Sequence, residues 1–192
     1  MSQSINPSRR VLLGGAVLSA TSLGLLAGAP ALAVSEKKMT ANVGNDVEIL
    51  NIALGLEHEA IAAYQIGAES GLLAAATMAV AILFQTHHKE HRDALVATIG
   101  QLGGTPVGER SRAHYEEVLD ARSIRNEADV LALAKRLELG AANAYLGVIP
   151  SFEDAELARV AARLAADETM HWTALAHATG EALPRDALTF GS

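Results

Sequence analysis

The chain carries the same short text twice, once in each half, and the repeated letters are metal-ligand types. Residues 56–64 read Leu-Glu-His-Glu-Ala-Ile-Ala-Ala-Tyr, and residues 137–145 read Leu-Glu-Leu-Gly-Ala-Ala-Asn-Ala-Tyr. Each Glu is followed seven positions later by a Tyr, which two helical turns place on the same face. A second matching pair comes later in each half: His88, His91 and Leu95 answer Glu168, His171 and Leu175. The interval from Glu57 to His91 equals that from Glu138 to His171 to within one position. Two helical hairpins, each offering a carboxylate and a histidine to one interior, describe a metal site inside a four-helix bundle.

The segment 1–33 stands apart from that pattern. Ser8-Arg9-Arg10-Val11-Leu12-Leu13 reads as a twin-arginine export signal, followed by an apolar run to Leu26 and a small-residue cleavage site at Ala31-Leu32-Ala33. The expected address is the periplasm or the cell exterior, with no membrane attachment once the leader is removed. Removal leaves most of the 192 residues, enough for one domain with a continuous core. The loss of Arg9 and Arg10 takes the formal charge from −7 to −9. An acidic chain without a basic stripe is a poor partner for nucleic acid. There is no cysteine, so disulfides, thiolate metal sites and cysteine nucleophiles are excluded.

Residues 34–45 read as a flexible polar lead-in, 46–180 as the bundle and 181–192 as a short tail. In the first helix, expected from Asp46, residues Leu50, Leu54, Glu57, Ile61, Tyr64 and Ala68 share one stripe, ended by Ser70-Gly71. The second presents Met78, Ala81, Phe84, His88, His91, Leu95 and Leu102, and Gly103-Gly104-Thr105-Pro106 stops it. A crossover to about residue 125 holds at most a short helical turn near His114. The third helix runs from Glu127 to Gly147, closed by Pro150, and the fourth from Phe152 to Ala178. No segment shows the alternation of a strand. The expected fold is therefore all-α, two helical hairpins joined by one long crossover.

A carboxylate in the middle of an apolar stripe is costly unless it is paired or bound to a cation. Glu57, Glu138 and Glu168 sit in such stripes, as do His88, His91 and His171. Alone, Glu138 fits a solvated charge, and Tyr64 and Tyr145 fit core residues with bonded hydroxyls. The six ionisable residues together fit a metal site, because a buried cluster of this kind needs a compensating charge. Carboxylate and imidazole donors without thiolate suit iron, manganese or zinc. His87, four positions before His91, could also face inward and compete with His88 as the ligand, but is expected to point aside; Glu90 is expected to face away. His58, His114 and His177 have no counterpart in the repeat.

At these residues the chain resembles the ferritin-like superfamily, especially exported ferritin-like proteins related to rubrerythrin. That resemblance implies a Glu on the first and third helices and a Glu-x-x-His on the second and fourth. Glu57, Glu138, Glu168, His171 and His91 match it. His88 stands where the family has a Glu that bridges two metals, which leaves the metal number open. The resemblance implies a ferritin-like four-helix bundle with a divalent metal centre, iron first, handling oxygen, peroxide or ferrous iron as a ferroxidase or peroxidase would. The competing expectation is a non-enzymatic metal-binding or stress-protective scaffold with a mononuclear or degenerate site. A homo-oligomer is compatible with either. A haem held by His88 or His91 with His171 is a poorer fit, since the carboxylates crowd both pairs.

Overall fold

The computed structural model describes residues 39–191, with side chains from residue 43 onward. Residues 1–33, expected to be an export leader, and residues 34–38 lie outside the described residues. Helix α1 (Met39–Glu69) and α2 (Ala75–Gln101) form the first hairpin, and α4 (Glu127–Val148) and α5 (Ala155–Ala178) the second. The crossover between them carries the short helix α3 (Arg112–Val118) and a 3₁₀ turn at Ala121–Ser123. Among the described residues there is no strand.

The helix ends follow from local chemistry. Asn126 caps α4 by accepting from the Asp129 N–H at 3.0 Å, and Asp154 caps α5 by accepting from the Glu156 N–H at 2.7 Å. At the C-terminus of α2, Gly103 adopts a φ of +77° and Gly104 donates to the Ile99 carbonyl at 2.9 Å. Gly180, at +70°, ends α5 in the same way, with Glu181 donating to Ala176. Both are left-handed caps that satisfy orphan carbonyls, and a side chain at either glycine would be strained.

Helix α1 starts at Met39, so it takes in residues expected to form a loose lead-in. Two side chains in its opening turns are held from outside the helix. Asn45 donates to the Ser151 carbonyl at 2.9 Å, and Asp46 accepts from the Glu153 N–H at 3.1 Å. Both tie the first turns of α1 to the α4–α5 connection. The crossover is held just as firmly. Asn51 bonds both Thr105 and Val107, while Tyr115 and Leu119 pack on Ala63, Ile66 and Leu133.

Two apolar clusters lie along the bundle axis. The larger joins Leu50, Leu54, Leu95, Ile99, Leu157, Val160 and Leu164 around Tyr145. Leu54, Leu95, Ile99 and Leu157 are almost wholly enclosed, and truncating any of them to Ala costs about 2–5 kcal/mol. A smaller cluster joins Tyr64, Ala81, Phe84, Ala134 and Leu175. The ionisable residues lie between the two.

Candidate metal centre

All six residues singled out by the repeat come together in the interior. Glu57, Glu138, Glu168, His88 and His171 are at most 1 % exposed, and His91 is 8 % exposed. Each of the four long helices contributes because helical spacing puts its ionisable residues on the inward stripe. Glu57 and Tyr64 on α1 are two turns apart, and one turn separates His88 from His91 on α2 and Glu168 from His171 on α5.

The donor atoms fall into two overlapping sets. In one, Glu57, His88, His91 and Glu168 each bring a ligand atom within 4.8 Å of the others; in the second, His88, Glu138, Glu168 and His171 do the same. His88 and Glu168 belong to both. His88 spans the halves: its Nδ1 lies 2.8 Å from Glu57 Oε2 and its Nε2 lies 3.2 Å from Glu138 Oε1. Glu168 spans them as well, with Oε1 3.1 Å from His91 Nδ1 and Oε2 3.2 Å from His171 Nδ1. His91 Nδ1 also stands 3.6 Å from Glu57 Oε1, and His171 Nδ1 3.3 Å from Glu138 Oε2.

His91 Nδ1 and Glu168 Oε1 are buried without a hydrogen bond. Their close approach lacks hydrogen-bonding geometry, and both belong to the first of the two donor sets. Two orphaned donors aimed at one interior point are what a cation resolves. Three carboxylates would balance three of the four charges of a divalent pair. The donor set fits iron, manganese or zinc, and the chain has no thiolate to favour a softer ion.

Protonation holds the charges together before any metal binds. Burial alone would neutralise Glu57, but hydrogen bonds and charges from His88 and His91 reverse that and hold its carboxyl at about 2. Burial likewise opposes charge on His91, yet Glu168 and Glu57 raise it to about 10. His88 and His171 are pushed up against burial by their carboxylate neighbours, and Glu138 is pushed down against burial by His171 and His88. Glu168 goes the other way: its burial dominates and raises its pKa.

The tyrosines act across the halves. Tyr64 donates to Glu138 and Tyr145 donates to Glu57, so each hydroxyl anchors the carboxylate of the opposite hairpin. Burial and the adjacent carboxylates raise both phenols well above their ordinary pKa, which keeps the donated protons in place. They are core residues with bonded hydroxyls, as expected, but their partners are the candidate ligands.

His87 does not point aside. Its Nδ1 lies 2.9 Å from His171 Nε2, and the two rings stack at 5.2 Å between centroids. The reason is helical phase: His87 and His91 are one turn apart, so both look toward α5. On the other side of the centre, Asp167 Oδ2 lies 3.3 Å from His91 Nε2. His87 and Asp167 thus back the outer nitrogens of the two histidines, and they occupy equivalent positions in the two halves of the repeat. That register was legible in the sequence, although Asp167 was not singled out. Glu90 is exposed on the rim of an open crevice of about 530 Å³ between α2 and α5, which also reaches His87, His91 and Asp167.

A family model described as a ferritin-like domain matches residues 45–181. Among solved structures, a conserved hypothetical protein from Mycobacterium tuberculosis is similar, with a TM-score of 0.60 at 22% identity. That match covers 75% of this chain and 96% of the other. At that identity the likeness concerns the fold. No curated protein sequence matches the chain.

Proposed function

Given that the chain belongs to the ferritin-like domain family, we propose that it is an exported metal-binding protein. Glu57, His88, His91, Glu138, Glu168 and His171 would hold a pair of divalent ions, iron or manganese. The observation that carries this reading is the pair of overlapping donor sets, with buried donors in one of them left unbonded. Such metals, when bound, supply one-electron chemistry toward oxygen, peroxide or ferrous iron.

The chain's own residues do the rest. Glu168 offers one oxygen to each position, while Tyr64 and Tyr145 fix the orientations of Glu138 and Glu57. Asp167 and His87 hold the outer nitrogens of His91 and His171, leaving both Nδ1 atoms turned toward the centre. The apolar clusters on either side keep bulk water out, and the crevice between α2 and α5 admits small solutes. The twin-arginine leader supports export, and no described helix is long and apolar enough to cross a membrane.

One observation favours a second reading. His88 stands in the place of a bridging carboxylate, and its two nitrogens face Glu57 and Glu138 on opposite sides. A mononuclear, non-enzymatic scaffold fits that substitution. Elemental analysis of the native protein, with its absorption spectrum, separates the two. About two irons or manganese ions per chain together with peroxide or ferrous-iron turnover supports the redox centre. One zinc per chain, or no metal, overturns it.

A further inference from the structure

The two ends of the bundle are related by the same repeat that builds the centre, yet one is filled by larger side chains than the other. At the filled end Leu157 and Thr98 are buried, and Leu157 sits within the larger apolar cluster. Their counterparts in the other half of the repeat are Thr77 and Ala178, and the counterpart of Val148 is Gly67. Phe84, the counterpart of Leu164, is a larger replacement, and it forms the inner wall rather than a plug. What the smaller residues leave is a pocket of about 270 Å³, which Thr77, Ala178, Gly67 and Phe84 all line.

We propose that this pocket binds a small uncharged hydrocarbon or arene. Its lining includes no charged side chain. The Tyr64 hydroxyl there is already given to Glu138, and the Thr77 hydroxyl is drawn to Glu127. A polar or ionic ligand would therefore lose its hydration without return. An apolar cavity of ~150 Å³ takes benzene, so the present volume suits a molecule of roughly ten carbons. Depth decides for a small molecule over a docked protein surface. The rim is open at Val80, Ala174 and Ala178, while the floor is formed by Tyr64 and Phe84. Both floor residues touch the centre: the Phe84 ring stacks on His171 at 4.1 Å between centroids, and Tyr64 anchors Glu138. The ligand's inner end would thus rest one side chain away from the candidate ligands. Binding itself requires no metal, so its failure and the failure of the metal reading are separate results.

Titration of the purified chain with naphthalene tests the site, with naphthalene-2-sulfonate as the charged control. One naphthalene should bind per chain with a dissociation constant on the order of 0.1 mM, and the sulfonate at least tenfold more weakly. Thr77→Leu, which installs the residue found at the filled end, should weaken naphthalene binding tenfold or more with the helical circular dichroism unchanged. Ala174→Leu closes the pocket from α5 and should do the same, which guards against a folding defect in either variant alone. Absence of saturable binding, equal binding to both variants, or equal affinity for the sulfonate overturns the proposal. So does a stable dimer in sedimentation that Val80→Glu dissociates, because the pocket would then belong to a second copy of the chain.

Discussion

The two halves of the centre share a backbone plan but differ in what stands behind their histidines. His91, on α2, is backed by the carboxylate of Asp167, whereas His171, on α5, is backed by the imidazole of His87. A carboxylate only accepts, so with a metal bound it would keep the proton on His91 Nε2 and leave Nδ1 as the lone pair for the ion. An imidazole accepts or donates, so it leaves His171 free to take either tautomer. A repeated sequence can thus build two similar donor sets with unequal electronic support. The Glu57/His91 position should be the tighter of the two.

The largest expected effect lies where the halves are joined. Glu168 supplies an oxygen to each donor set, so Glu168→Gln should remove both metals, with a loss of affinity on the order of 100-fold or more. Metal stoichiometry after dialysis reads this directly. Loss of a single metal would mean that the halves do not share Glu168.

The next effect should fall on one half at a time. Asp167→Asn should weaken the tighter position by roughly 10- to 100-fold, while His87→Ala should weaken the other by only a few fold. His87→Asp should bring the two affinities together by supplying the missing carboxylate. Competitive titration against a chromophoric chelator resolves the two steps. Equal losses from Asp167→Asn and His87→Ala would end the claim of asymmetry.

Removing the phenol hydroxyls should be milder and crossed. Tyr145→Phe should disturb the Glu57 position and Tyr64→Phe the Glu138 position, each at about 1–2 kcal/mol of stability or binding. If Tyr64→Phe instead weakened the Glu57 position, the pairing between hairpins would be wrong.

Acidity gives the broadest effect. His91 rises from 6.5 to about 10 on folding, so its ion pairing stabilises the chelated protein fully below 6.5 and is lost as pH climbs through about 10. Glu57 falls from 4.5 to about 2, so its contribution is present above 4.5 and is lost as pH falls through about 2. Glu168, raised by burial, behaves like His91 in sign: its contribution is present in acid and is lost as pH rises through its elevated value. The chelated protein should therefore lose about 5 °C of melting temperature between about pH 7 and pH 10. Metal binding must displace the imidazolium protons, so affinity should rise over the same range and the loaded protein should melt higher than the chelated one. A melting curve indifferent to chelator at every pH would remove the metal from the account.

Much of this molecule was legible in the order of its residues. The all-helical fold, the two hairpins and the long crossover follow from apolar spacing, from Gly71, Gly103 and Gly180, and from Pro150, all of which act within a few positions. The gathering of Glu57, His88, His91, Glu138, Glu168 and His171 followed from the echo between the halves on inward stripes, because helical phase assigns each residue a face. Phase says nothing of what lies opposite. That Tyr64 serves Glu138 instead of its own Glu57, that His87 meets His171, and that Asp167 meets His91 depend on how one hairpin is set against the other. The pocket at one end of the bundle was decided in the same way, by side-chain volumes from helices distant in the chain. Local spacing determines which faces turn inward; only the packing of those faces decides which atoms meet.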